Sequence, residues 1–384
     1  MTYNPLNQLS EQFERGSTSQ LVSNNERNLL RIIRQHPGIS RSEITVLTDL
    51  TQQSVYRLID ALKVDELLQY GDPKPGTGRG QPSPTIRLNS DYAFTAGISV
   101  STDNINVCLL DFAGNVRSSE KLNIYDLPME EGLSKIKGSL DNQLKAHSVD
   151  ANRLFGAGFA IEGYLQEGST YNAPLPLHEW SMIELGPLVS ERLGIPVWTA
   201  NAANTSAMCE AMLGVGKYVS NFAYLSINYG FGGAMILNGE LWKGAYGNAG
   251  EMSAMYNMSQ YGKRPALQFL MKYLQKNGIA VQSIDQIRHS FDPKWPGVKE
   301  WVEEATPALN DTLNAIAAIM DPEAIVFGGQ LPPKLADQLV TAAEFYRRPR
   351  YGYIMKTPKL IVSNLESNAS SVGAALLPLK EVYF

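Results

Sequence analysis

Two stretches of the chain repeat one pattern, and that repetition constrains the fold more than any other feature. Residues 94–100 and 105–111 are apolar, strand-like runs. Gly114-Asn115 then turns the chain, and another strand-like run follows, so the segment reads as a β-meander. A helical stretch over 131–145 and a strand over 155–160 come next. The theme returns with a strand over 222–228, a Gly-rich turn and a strand over 234–237. Two β-rich halves followed by helices predict a two-lobed α/β body with a cleft, and clefts of this kind hold ligands.

The length of 384 residues exceeds what one core usually spans, so two or three domains are expected. No stretch approaches the ~18 apolar residues of a membrane span. Residues 1–20 are polar and carry Glu11 and Glu14, which argues against a secretory signal and for a loose arm. Cys108 and Cys209 cannot staple a chain of this size, which fits a reducing cytoplasm. The net charge of −5 excludes polyanion binding by bulk electrostatics. In the first ninety residues ten Lys/Arg face nine Asp/Glu, so any contact with DNA rests on local placement.

Those ninety residues have their own pattern. Residues 24–36 read as a helix with Leu29, Leu30, Ile32 and Ile33 on one stripe, with Asn24 or Asn25 as cap and Pro37-Gly38 as stop. Ser40 opens a second short helix with Glu43 three residues on, a capping box. Thr48-Asp49-Leu50 makes a tight turn, and Thr51 caps a third helix with Val55, Leu58, Ile59 and Leu62 inward. Thr51, Gln52, Gln53, Ser54, Tyr56 and Arg57 are left facing out. This is the arrangement of a helix-turn-helix, whose Gln side chains can pair with adenine and whose hydroxyls can reach phosphates. Strand-like runs at 67–71 and 85–88 flank Gly78-Arg79-Gly80, so a winged helix is expected, with Arg79 suited to a narrow minor groove.

The chain resembles the ROK family, named for repressors, open reading frames and sugar kinases. The matching segments are Ser40-Arg41, Gly78-Arg79-Gly80-Gln81-Pro82, Tyr229-Gly230-Phe231-Gly232-Gly233-Ala234, Asn248-Ala249-Gly250-Glu251, Asp321-Pro322-Glu323-Ala324-Ile325-Val326-Phe327-Gly328-Gly329 and Ser371-Val372-Gly373-Ala374-Ala375. The resemblance implies an α/β fold: an N-terminal winged helix-turn-helix followed by a two-lobed actin-like ATPase body, like that of the sugar kinases. It also implies four parts. These are a flexible arm over 1–20, a DNA-binding domain over 21–90 with wing or linker at 71–88, a first lobe over 91–200, and a second lobe over 201–384 whose last helix returns to the first. The likeness extends to the glucose-, N-acetylglucosamine- and xylose-responsive repressors of the family.

The same comparison exposes missing chemistry. A sugar kinase needs a base for the attacking hydroxyl and donors for the phosphates. The family's Asn-Asp-Ala-Asn segment is similar to Asn201-Ala202-Ala203-Asn204 here, so the base position is Ala202 and no catalytic residue is expected. The first phosphate loop, Asp-x-Gly-Gly-Thr in the family, is Ser99-Val100-Ser101-Thr102-Asp103, without the Asp or the glycines that admit phosphate. The family's zinc-binding His is replaced by Ala254, and residues 255–264 hold no Cys or His, so no metal and no cofactor are expected.

Polar positions of the sugar pocket persist. Asn201 and Glu251 match residues that hold sugar hydroxyls, and Asn204 is a further candidate. Asn172 and Trp180, with His178 between, resemble the loop at the pocket edge. Glu162-Gly163 stands where the family has Pro-Gly, and Glu162 can read a hydroxyl or a cation. The expected partners are operator DNA, contacted through Ser40, Arg41, Thr51 to Ser54, Tyr56, Arg57 and Arg79, and a sugar or sugar derivative. A second copy is expected in a homodimer or a tetramer, with the Ala-rich stretch 309–320 as a packing face. No membrane partner is expected. Two other readings stay open: an active sugar kinase, and a regulator gated by a protein.

Overall fold

The structure is a computed structural model that describes residues 3–9, 13, 21–73, 84–123, 127–365 and 368–384. Arg79, the rest of the Gly-Arg-Gly segment and most of the expected arm lie outside the described residues.

Three helices open the chain: α1 (Asn24–Gln35), α2 (Arg41–Val46) and α3 (Gln52–Val64). The cap of α1 is Ser23 rather than Asn24 or Asn25. Ser23 sits in extended backbone and shares a reciprocal capping box with Glu26. Ser40 and Glu43 form the same box on α2, and the Thr51 side chain accepts from the Ser54 amide at the start of α3. Strands β1 (Leu68–Gly71) and β2 (Thr85–Leu88) pair antiparallel beside the helices and complete a winged helix-turn-helix. Leu29, Leu30, Ile33, Ile44, Val55, Ile59 and Leu62 are its buried centre.

The body repeats one topology. Its first sheet has strands β3 (Phe94–Val100), β4 (Asn104–Asp111), β5 (Val116–Asn123), β6 (Leu154–Ile161) and, after the β7 (Tyr164–Glu167) and β8 (Thr170–Asn172) hairpin, β9 (Val197–Asn201). The order is β5-β4-β3-β6-β9. Strands β10 (Phe222–Ile227), β11 (Phe231–Leu237), β12 (Glu240–Leu241), β13 (Ala324–Gly329) and β14 (Lys359–Val362) form the second sheet in the order β12-β11-β10-β13-β14. In each sheet three antiparallel strands are extended by two parallel ones. Helices α4 (Met129–Ala146) and α5 (Leu185–Leu193) cover the outer face of the first sheet. Helices α7 (Leu267–Lys276), α8 (Ile284–Ser290), α9 (Val298–Ile319) and α10 (Pro333–Ala342) cover that of the second. Between the sheets lie α6 (Ala202–Leu213) and α11 (Ala369–Val382).

Two features depart from the sequence reading. The stretch 309–320 is the second half of the longer α9, and its Leu309, Leu313 and Ile316 are buried in the core of the second lobe rather than free for a partner. The described part of the expected loose arm is tied down. Phe13 is buried against Phe155 at 5.1 Å between ring centres, and the Tyr3 hydroxyl accepts the Val197 amide at 2.9 Å.

Helix α11 joins the pieces. Its early residues pack against β3, β6 and α6, and its last residues enter the core of the winged helix, where Leu379, Val382, Tyr383 and Phe384 join Leu29, Leu30 and Val55 in one apolar cluster. Arg27 donates to the Lys380 carbonyl at 2.8 Å and Arg31 to the Phe384 carbonyl at 3.0 Å.

Candidate functional site: an interlobe cavity and a recognition helix

A cavity of about 740 Å³ opens between the lobes, within the range of roughly 300–1,000 Å³ that holds small molecules. The junction of β9 and α6 places Asn201 in its wall. The Asn201 carbonyl oxygen caps α6 by accepting from the Ala203 amide at 2.6 Å and the Asn204 amide at 3.4 Å. Its amide nitrogen donates to the Gly163 carbonyl at 2.5 Å and to Glu251 Oε1 at 3.3 Å. One side chain therefore fixes the helix start, the turn after β6 and a carboxyl from the other lobe. Gly163 has φ +128°, and a Cβ there would stand 2.4 Å from the Asn172 carbonyl oxygen, so the turn requires glycine.

Glu162, Gly163, Asn172, Asn201 and Glu251 share this wall. Asn172 donates to the Tyr164 hydroxyl at 2.9 Å. Burial raises the Glu251 carboxyl above its ordinary value. Burial, and next the charge of Asp103, push Glu162 up to about 8, so near neutral pH it is largely a protonated acid able to donate. Glu162 also borders a second cavity of about 50 Å³ behind the first.

Three expected contacts lie elsewhere. The turn Leu175–Trp180 buries Leu177 and Trp180, which leaves His178 outward and exposed. Trp180 stacks on Phe159 at 5.8 Å in the core of the first lobe. Asn204 is buried within the first turn of α6 and does not line the cavity. In their place the wall contains Ser226, Asn228, Asn248, Tyr261, Arg264 and Gln268. Tyr261 and Arg264 are neither thiolate nor imidazole; their signal in the sequence is a tyrosine followed three residues on by a basic residue, shortly after Asn248-Ala249-Gly250-Glu251.

The positions of phosphate chemistry are rebuilt. Ala202 packs its methyl against Ala160 and Ala374. Ser101 to Asn104 is a tight turn between β3 and β4, closed by the Ser101 amide donating to the Asn104 carbonyl at 3.0 Å. Asp103 reaches across the cleft and accepts the Asp285 amide at 2.8 Å, at the start of α8. Lys121 binds the Asp285 carboxylate at 2.7 Å, and Gln330 donates to Ser101 at 3.3 Å. These contacts tie the two lobes together beside the smaller cavity of about 50 Å³. The Tyr229 to Gly233 loop is a hairpin turn pairing Ile227 with Phe231, and its Tyr229 to Gly232 segment lines the larger cavity. No helix among the described residues is long and apolar enough to cross a membrane.

On the winged helix, Thr51, Gln52, Gln53 and Arg57 are exposed, and Ser54 and Tyr56 half-buried, along one side of α3. Gln52 donates to the Tyr56 hydroxyl at 3.1 Å. Two expected DNA contacts are bonded within the domain. Ser40 is bonded to Glu43 and Ser42. Arg41 pairs with Asp60, donates to the Tyr70 hydroxyl, and lies 5.0 Å from the centre of the Tyr56 ring.

A winged helix-turn-helix on a two-lobed actin-like ATPase body is the architecture of a regulator built from a sugar-kinase scaffold. Residues 95–263 match the model of the ROK family. It is 29% identical over 239 residues to the xylose repressor of Caldicellulosiruptor bescii, covering 62% of this chain and 59% of that protein. The crystal structure of a ROK family transcriptional regulator, a homologue of the Mlc protein of Escherichia coli, superposes with a TM-score of 0.66 at 20% identity, over 94% of this chain and 96% of that one. A ROK family glucokinase from Streptomyces griseus, solved with glucose and AMPPNP, superposes with a TM-score of 0.57 at 20% identity, over 74% of this chain and 99% of that one.

Proposed function

We propose that the protein is a sugar-responsive, DNA-binding transcriptional repressor of genes for sugar uptake or catabolism, with a polyol bound in the interlobe cavity as its effector. The observation that carries this reading is the path of α11. Ser370, in its first turn, bonds to Ser99 at 2.9 Å and Thr205 at 3.0 Å at the cleft, and Phe384, just past its end, is buried in the winged-helix cluster. A ligand that favours one arrangement of the lobes biases the position of the DNA-binding domain by its differential affinity for the two arrangements. Gln52, Gln53 and Arg57 are the side chains that face the major groove in this reading, and two copies read the two halves of a palindromic operator. The similarity to repressors supports it.

The cavity binds without phosphorylating. Ala202 offers no group to take a proton from a sugar hydroxyl, and the Asp103–Asp285 contact fills the approach to the phosphate site. The place of action is the cytoplasm, where the operator is.

Footprinting of the purified protein on the DNA upstream of its own gene and of neighbouring sugar genes, with and without xylose and glucose, tests the proposal. Protection that one sugar alters is the expected result; no protection under any condition overturns it. Sugar-dependent ATP consumption by the same preparation would overturn the non-catalytic part.

A further inference from the structure

Arg264 is a buried cation in the cavity wall with no anionic partner among the described residues. It is 4 % exposed. Its guanidinium lies 3.5 Å over the Tyr261 ring and 5.0 Å from the Phe269 ring centre, and one nitrogen donates to the Tyr261 carbonyl. Its Nε has no partner among the described residues. The groups acting on its charge besides burial are the hydroxyls of Tyr261 and Tyr256, with no carboxylate among them. A buried charge is costly unless it is paired, and stacking on aromatic rings offsets only part of that cost. Arginine does not relieve it by losing a proton.

A half-buried arginine of the cleft shows what a structural role looks like. Arg288 donates to the carbonyls of Gly329 and Leu331 and lies near Asp285. Arg264 has no such set, and it borders the cavity that also holds Asn201 and Glu251. The cavity gives an anionic ligand a place to sit beside Arg264.

We infer that the effector is an acidic polyol, a sugar carrying one carboxylate or phosphate group, whose anion pairs with Arg264. The planar guanidinium fork matches either group. The inference rests on the sugar-responsive reading and narrows its ligand. Glu162 does not oppose it. Burial raises both carboxyls; Glu162, pushed up to about 8, bonds to hydroxyls as an acid without repelling an anion, and the upward shift of Glu251 lessens its opposition.

Calorimetry with the full-length protein decides it, using glucose, xylose, glucuronate and glucose 6-phosphate. One anionic sugar is expected to bind at least about tenfold more tightly than glucose, the two acids distinguishing carboxylate from phosphate. Arg264→Gln is expected to remove that preference, so that the acids bind this variant no more tightly than glucose does, given that the charge-assisted pair is lost. Arg264→Lys, which keeps the charge, is expected to retain part of it, and melting curves of both variants establish that they fold. Neutral sugars binding as tightly as the acids, or an unchanged preference in Arg264→Gln, overturns this inference and leaves the repressor standing. No binding by any of the four, with the protein folded, overturns both.

Discussion

The backbone of Gly158 in β6 lies so close to the carbonyl oxygen of Ala374 in α11 that a methyl group on Gly158 would stand 1.8 Å from that oxygen. Gly97 stands in the same relation to Ser371, at 1.9 Å, and Gly373 to Thr205, at 1.8 Å. Close packing of this kind transmits displacement, because cores are dense and resist compression. Gly158→Ala must push α11 off the sheet. It is expected to lower unfolding stability by at least about 1–3 kcal/mol, the usual cost of overpacking. Denaturant titration checks this; an unchanged midpoint would mean that α11 is not held against β6.

Asn201 has two separable tasks. Its carbonyl oxygen caps α6 and its amide nitrogen holds Glu251. Asn201→Asp keeps an acceptor for the cap but loses the donor. It is therefore expected to leave stability within about 1 kcal/mol while weakening sugar binding about tenfold or more. Asn201→Ala loses both and also costs about 1 kcal/mol of stability. Melting curves set beside calorimetry separate the two tasks.

Stability is expected to fall as pH rises from about 4.5 to about 8. The ordinary Glu value is 4.5 and folded Glu162 stands at about 8. Between these values the folded protein holds a proton that the unfolded chain has released, so each step up in pH favours unfolding, and the loss is complete above about 8. One proton gives a slope of at most about 1.4 kcal/mol per pH unit. Raised Glu251 and Asp103 act in the same direction. Unfolding titrations between pH 5 and 8.5 are expected to show a shallower slope in Glu162→Gln; an identical slope would place the coupled proton elsewhere.

How much of this was legible beforehand follows from range. The capping boxes, the apolar stripe of α1 and the individual strand runs are local, and residues close to one another in the chain predict them. Ala202 was readable too, because a missing carboxylate is a fact of composition at one aligned position. The bonding of Arg41 within the domain was not, since it depends on Asp60 and Tyr70, nineteen and twenty-nine positions away. Nor was the lack of a carboxylate partner for Arg264 among the described residues, because it depends on how distant elements pack and no local pattern announces it. The role of Asp103 is equally remote, since only the arrival of α8 from the second lobe makes it a tie.

That difference between Arg41 and Arg57 gives a contrast on the recognition face. Arg57 is exposed on α3, so Arg57→Ala is expected to weaken operator binding and reduce its salt dependence by about one phosphate contact, with little change in melting. Gln53→Ala is expected to relax base preference by about 1–3 kcal/mol at one position. Arg41→Ala is expected to lower the melting temperature first, because its partners belong to the domain itself. Electrophoretic shift at two salt concentrations, paired with melting curves, sorts the three.

The last residues of the chain make the strongest test of communication between cleft and operator. Phe384 is buried, its ring lies 5.7 Å from Phe112, and Arg34 sits 5.3 Å above it. Phe112 follows directly on β4 of the first lobe, whereas Arg34 belongs to α1 of the winged helix, so the phenylalanine bridges the two bodies. Phe384→Ala opens a cavity at that bridge and is expected to cost about 3 kcal/mol or more. Both binding sites lie apart from it: Asn201 and Glu251 keep their contacts, and α3 keeps its exposed face. The variant is therefore expected to bind sugar and operator separately with near-normal affinity, while the change in operator affinity caused by sugar shrinks toward unity. Coupling is reciprocal, so the effect of operator DNA on sugar affinity must shrink by the same factor. Measuring both directions on the folded variant, at a temperature well below its melting point, distinguishes a broken linkage from a merely weakened domain; undiminished coupling in both directions would place the path outside α11.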